Sequence, residues 1–175
     1  MCEWGLDGWA VGPGGGQTID LGGPNRPEVL VRGSEVDNAM GVFVFTHGVI
    51  PENRPHAHLD FMKIAYILDG EYDFRVGDSE FSVGPRALVV VPKGSFHAFT
   101  TATGGRMLFA CSPSGNEELF MEMGRLGPEA TAEQLSELND RFRTVSLPGD
   151  EGSPWRGMFA AEPRQNIDGS DYENG

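Results

Sequence analysis

Short apolar runs dominate the first two thirds of this chain and constrain its fold more than any other feature. Between residues 28 and 111 there are eight runs, rich in Val, Ile, Phe or Tyr and bounded by Gly, Pro, Asp or Asn; such runs are typical of β-strands. The predicted strands are Glu28–Arg32, Ala39–His47, Phe61–Leu68, Tyr72–Val76, Glu80–Val83, Ala87–Val91, His97–Thr101 and Arg106–Cys111. Their near-regular spacing predicts an all-β sandwich or barrel rather than βαβ units.

The flanking segments differ from this pattern. Residues 1–27 are rich in Gly and Pro, which predicts an irregular N-terminal arm before a barrel over residues 28–112. Residues 113–147 show helical spacing over Asn116–Leu126 and again over Thr131–Arg143, with Ser114 or Asn116 as a cap of the first helix and Thr131 of the second. Residues 148–175 are polar and broken by Gly and Pro, so we expect a mostly irregular or disordered tail.

Charge and composition exclude some classes of partner. A formal net charge of −13 in 175 residues opposes binding to nucleic acid or to an anionic membrane surface. No apolar run approaches the ~20 residues that cross a bilayer. The N-terminal residues lack the basic start and apolar stretch of a signal peptide, and two cysteines are too few for a disulfide framework. We therefore expect a single-domain cytoplasmic protein.

Three of the four histidines are spaced as metal ligands on strands would be. His56 and His58 are two residues apart and so lie on one side of an extended chain, and strand pairing can bring His97 beside them. Three neutral imidazoles suit Fe, Ni, Cu, Mn or Zn and leave positions open for water or substrate. A His-x-His pair taken alone is more often a surface pair. The fourth histidine, His47, is better explained as a packed or exposed side chain than as a catalytic one.

The histidine-bearing segments resemble the two sequence motifs of the cupin superfamily. The residues that match the first motif are Gly48, His56, His58 and Gly70, and those that match the second are Gly84, Pro92, Gly94 and His97. The resemblance implies a double-stranded β-helix (jelly-roll) barrel, followed here by two short helices, with His56, His58 and His97 on a divalent metal. It also implies a homodimer, for which residues 1–27 are a plausible strand-exchange element.

Lys63 is a departure from the cupin pattern. It occupies the position, five residues after the second histidine, where the family carries an acidic ligand, and a protonated lysine has no lone pair to offer a metal. A three-histidine site follows unless Asp60 reaches in as a displaced ligand. Strand alternation places Lys63, Ala65 and Ile67 on one face. Lys63 then either leans out of the barrel, pairs with a substrate carboxylate, enolate or phenolate, or acts as a base; we favour the pairing role and take Lys63 as the candidate catalytic residue.

The segment after the last predicted strand resembles that of single-domain cupins related to quercetin dioxygenase. This resemblance favours a metal-dependent dioxygenase acting on a small aromatic or enolised substrate. The alternatives are a non-redox cyclase, isomerase or lyase of specialised (polyketide-like) metabolism, and a sensor or binding module without turnover. The side chains expected to line or support an apolar cavity are Phe43, Phe45, Met62, Phe74, Phe96, Phe99 and Met107.

Overall fold

A computed structural model describes residues 8–51 and 53–147 of the chain. Two antiparallel sheets form the jelly-roll fold expected from the sequence. The strands are β1 (Gln17–Thr18), β2 (Arg26–Val31), β3 (Gly41–His47), β4 (His56–His58), β5 (Met62–Asp69), β6 (Tyr72–Val76), β7 (Ser79–Val83), β8 (Leu88–Val91), β9 (His97–Thr100), β10 (Gly105–Ser112) and β11 (Thr144–Ser146). The helices are α1 (Asn116–Leu126) and α2 (Ala132–Arg141).

The two sheets face each other across the core. One has the strand order β1-β2-β3-β10-β5-β8 and the other β11-β4-β9-β6-β7. Cross-strand register in the first sheet sets the rows of inward side chains. One row consists of Gly41, Cys111, Lys63 and Val91, and the next of Phe43, Phe109, Ala65 and Val89. The second row, which contains two phenylalanines, packs inside the barrel. The first row lies on the side of the barrel next to α1.

The eight predicted strands all exist, with ends displaced by at most two residues. The short strands β1, β4 and β11 were not predicted. A strand of two or three residues shows too little alternation to be recognised in a sequence. Strand β4 contains only the His-x-His segment, and β11 pairs beside it after the helices.

Part of the N-terminal segment is more ordered than the irregular arm that we expected for residues 1–27, and the strand exchange that the resemblance implies stays a prediction. Strand β1 pairs with β2 of the same chain, and β2 itself begins at Arg26. Ile19 and Leu21 are buried in the core. Residues 17–21 are therefore packed on their own barrel, because burying these two apolar side chains stabilises the contact. The tail predicted for residues 148–175 lies outside the described residues.

Both predicted helices are present, but only one begins as expected. Thr131 caps α2, accepting a hydrogen bond from the Gln134 backbone N–H in a capping box. Neither Ser114 nor Asn116 caps α1, which begins after Gly115. The buried Glu117 carboxylate accepts hydrogen bonds from the backbone N–H groups of Gly115 (2.9 Å) and Gly33 (3.1 Å) instead. This carboxylate ties the start of α1 to the loop that follows β2.

Candidate metal centre

His56, His58 and His97 lie together on neighbouring strands of the second sheet. His56 of β4 is directly opposite His97 of β9, and His58 follows two residues later on the same side of β4. All three side chains are buried. One ring nitrogen from each lies within 4.8 Å of the other two, a spacing at which the three could hold one metal ion. The i and i+2 spacing of His56 and His58 and the pairing of β4 with β9 bring the three histidines together, as predicted from the sequence.

The Nδ1 atoms of the three rings are engaged by the surrounding chain. Nδ1 of His56 donates to the Arg54 carbonyl at 3.0 Å, and Nδ1 of His97 donates to the Ser95 carbonyl at 3.1 Å. Nδ1 of His58 lies 3.1 Å from the Thr144 hydroxyl. Such contacts orient an imidazole and leave its Nε2 lone pair for a metal. Nε2 of His97 is buried and has no hydrogen-bond partner within the described part of the chain, which is the arrangement that a bound cation would satisfy.

The surroundings keep these imidazoles neutral. Burial is the main cause that lowers the pKa of His56 to about 3, and the positive charge of Lys63 adds to it. Burial and the charge of Lys63 likewise hold the pKa values of His58 and His97 well below the ordinary value. A neutral imidazole is the form that binds a metal. The cluster is therefore in its ligating state at neutral pH.

Lys63 points into the barrel, and it shares its buried face with Ala65 and Ile67, as the strand alternation predicted. Its side chain is only 8% exposed, and Nζ lies 5.3 Å from the centre of the Phe109 ring. Burial lowers the pKa of Lys63 to about 8. No described residue forms a hydrogen bond or ion pair with its ammonium group. The interpretation in which Lys63 leans out of the barrel is therefore wrong.

Asp60 does not take the place of the missing acidic ligand. Its carboxylate is half exposed and lies 3.5 Å from Nε of Arg143 on the surface. The bend after β4 turns this side chain away from the imidazoles. Among the described residues, the group with metal-ligand geometry consists of the three histidines.

A cavity of about 20 Å³ connects the histidines with Lys63. That volume is enough for a water molecule or an ion. The remaining lining side chains are Phe43, Phe45, Phe99, Phe109, Asn116 and Phe120. None of the described residues that line it carries a carboxylate. Among the described residues, the cavity wall is therefore mostly apolar, with the Lys63 ammonium group and the Asn116 amide beside the imidazoles.

The expected cavity residues are only partly correct. Phe43, Phe45 and Phe99 line the cavity, and Phe74 and Met107 are buried in the core behind it. Met62 is 40% exposed on the outer face, because it neighbours the inward Lys63 on the same strand. Phe96 precedes β9, is half buried and does not line this cavity.

Two site residues were missed by the sequence analysis. Asn116 was considered only as a helix cap, and its side chain lines the cavity instead. Thr144 carried no signal, since its contact with His58 depends on the pairing of β11 with β4, 86 positions along the chain. His47, in contrast, is packed as predicted: its Nδ1 contacts the Gly48 carbonyl at 2.9 Å and its Nε2 the Tyr72 hydroxyl at 3.1 Å.

Fold and site together define a jelly-roll protein with a buried three-histidine cluster between its sheets. Residues 42–112 match the family model described as the cupin domain, a region that includes all three histidines. Residues 42–112 of the chain therefore form a cupin domain. No curated protein matches it in sequence.

Solved cupin structures share this fold at low sequence identity. An RmlC-like cupin from Shewanella frigidimarina is 19% identical, with a TM-score of 0.51 over 59% of this chain and 88% of that chain. KdgF from Halomonas sp. is 13% identical, with a TM-score of 0.55 over 64% and 99%. Streptomyces Pac13, solved with uridine, is 13% identical, with a TM-score of 0.51 over 65% and 88%. These likenesses concern the fold, and the resemblance to quercetin dioxygenase-like proteins stays a prediction.

Neither α1 nor α2 has the length and apolar character of a membrane-spanning helix.

Proposed function

We propose that this cupin is a metal-dependent enzyme in which His56, His58 and His97 hold a divalent transition metal. The observation that carries the proposal is the buried cluster itself, in which three neutral imidazoles present nitrogens within 4.8 Å of one another. Burying three imidazoles around one point costs desolvation of each ring. A metal ion that takes up their lone pairs offsets that cost. Fe, Ni, Cu, Mn and Zn all accept imidazole nitrogen.

The residues around the cluster suit a reaction that builds negative charge on a small organic substrate. When bound, the metal would supply Lewis acidity or, as iron, nickel or copper, chemistry with oxygen. Lys63 places a positive charge beside the histidines and would stabilise an enolate, phenolate or carboxylate there. The phenylalanine wall keeps water away and strengthens that attraction.

The side chains in the cavity favour a lyase, isomerase or cyclase over the dioxygenase predicted from the sequence. The described lining offers no carboxylate that could act as a base, but it offers a lysine that can balance an anion. Pac13 is named as a nucleoside dehydratase, so this fold accommodates non-oxidative chemistry. A dioxygenase remains the second candidate, because the aromatic lining would also suit an aromatic substrate.

Metal analysis combined with oxygen uptake tests this proposal. We expect protein prepared without added metal to carry one transition-metal ion per chain. We also expect it to convert an enolisable substrate without consuming oxygen. Oxygen uptake that matches substrate loss would instead support the dioxygenase. A chain that takes up no metal would contradict the proposed metal-dependent enzyme and would support a binding module without turnover.

We also propose that the enzyme is a homodimer formed through the outer face around β8. Leu88 and Val90 are 53% and 47% exposed on this last strand of the six-stranded sheet. Their outward neighbours on β5 are Tyr66 and Ile64, so the strip carries no charge. On a chain with a net charge of −13, an uncharged strip beside an open strand edge is where a second copy can approach with least repulsion.

A further inference from the structure

The wall of the cavity formed by β5 and the start of α1 carries two polar side chains that the histidine cluster does not use. Lys63 is 8% exposed and Asn116 is 3% exposed. Both line the same cavity as the three imidazoles. Buried polar side chains are almost always paired, so two buried polar groups without a described partner on one wall indicate that a ligand supplies the partner.

The ammonium group of Lys63 lacks a negative partner within the described chain. Its cross-strand neighbours are Cys111 and Val91, and burial raises the pKa of the Cys111 thiol to about 12, so that thiol stays neutral. The buried carboxylate of Glu117 is engaged by two backbone N–H groups. An isolated buried ammonium is costly unless a negative charge reaches it.

Asn116 supplies a second, independent observation. It is the first residue of α1, directly after the N-cap Gly115, and its side chain is buried and lines the cavity. No hydrogen bond to another described residue involves its side chain. The amide therefore lines the cavity without a described partner, at the helix end that favours negative charge.

We infer that Lys63 and Asn116 form a carboxylate-binding subsite that holds the acidic group of the substrate opposite the three histidines. The ammonium group supplies charge, and the amide N–H supplies a directional hydrogen bond to one carboxylate oxygen. The cavity of about 20 Å³ is the size of a water molecule or a small ion, so the part of a substrate that would lie in it is the carboxylate group. The proposed substrate class is a small carboxylate. The inference rests on the proposed function for its place in catalysis, but the subsite itself works without metal.

Carboxylate binding to the metal-free, full-length chain tests the subsite. Calorimetric titrations with acetate and benzoate are compared with their neutral amides, acetamide and benzamide. We expect the carboxylates to bind at least about tenfold more tightly than the amides, as one charge-assisted contact implies. Lys63→Met should remove this preference, Asn116→Asp should abolish carboxylate binding by repulsion, and Lys63→Arg should retain the preference. Lys93→Met, at the exposed second lysine of the chain, is the matched control.

Equal binding of carboxylates and amides would overturn the subsite, as would a Lys63→Met variant that binds carboxylates as the wild type does. Circular dichroism confirms that each variant is folded before titration. Metal uptake by the wild type, measured in parallel, separates the two proposals. Metal uptake without a carboxylate preference would support the proposed function and contradict the subsite. Lys63-dependent carboxylate binding without metal uptake would support the subsite and contradict the proposed function.

Discussion

At the scale of single residues, Lys63 is the most informative position in this cupin. The sequence predicted that Lys63 shares a face with Ala65 and Ile67, because side chains alternate along a strand, but it left open whether the side chain leans out of the barrel. Its uncompensated burial could not be predicted, since that depends on which side chains of β8, β10 and α1 meet it. Asn116 shows the same limit: its sequence position suits a helix cap, and only the packing of α1 turns its amide to the cavity.

Replacing Lys63 should reveal the cost of its buried charge. The folded metal-free chain releases this proton near pH 8 and the unfolded chain only near ~10.4, so between these values the unfolded state binds more protons. The contribution of Lys63 to the free energy of unfolding therefore rises with pH across this window. Lys63→Met should be more stable by about 3 kcal/mol at pH 7, and the difference should disappear by about pH 10.5.

Urea denaturation of the metal-free wild type and Lys63→Met at a series of pH values measures this difference. Lys93→Met serves as the control and should follow the wild type throughout. A constant gap between wild type and Lys63→Met from pH 7 to 10.5 would show that the lysine is not buried as a strained cation.

At the scale of elements, the late strand β11 completes a site built by β4 and β9. It pairs with β4 so that Thr144 lies opposite His58, and the hydroxyl reaches Nδ1 of that ring. Periodicity predicted the long strands and both helices, because each has enough residues for a pattern. It missed the three-residue β11, whose pairing is set by where α2 returns the chain.

Thr144 should act as a positioning residue for the ligand His58. Thr144→Val keeps the shape of the side chain but removes the hydroxyl, so it should weaken zinc binding about 10-fold to 100-fold, as loss of an orienting contact does. Competition with a zinc-binding dye measures the affinity. Thr144→Ser retains the hydroxyl and should bind zinc almost as the wild type does. Equal affinities for the Val and Ser variants would contradict this role.

At the scale of the whole molecule, the jelly roll carries an apolar outer strip on β8, which we propose as the surface where two copies meet. The alternation that places Val89 and Val91 in the core places Leu88 and Val90 outside. The sequence predicted the strand, and the resemblance predicted a homodimer. The surface proposed for it could not be predicted from the sequence, because it depends on the position of β8 at the edge of its sheet.

Disrupting this strip should produce monomers. Val90→Glu adds a buried charge to the proposed interface and should reduce the mass in solution from twice 19.0 kDa to 19.0 kDa, because an unpaired buried carboxylate is costly. Light scattering after size-exclusion chromatography measures the mass. Val49→Glu, at an exposed valine outside the strands, should stay dimeric. A monomeric wild type, or a dimeric Val90→Glu variant, would contradict the interface.

Two histidines of β4 and one of β9 are proposed to bind one metal ion. The metal content of matched histidine variants tests this most directly. Each purified chain is stripped with a chelator, loaded with zinc, desalted and analysed for zinc by elemental analysis. The account predicts one ion per chain for the wild type and for His47→Gln, and almost none for His97→Ala at unchanged circular dichroism. Undiminished zinc in His97→Ala, or equal loss in both variants, would contradict it.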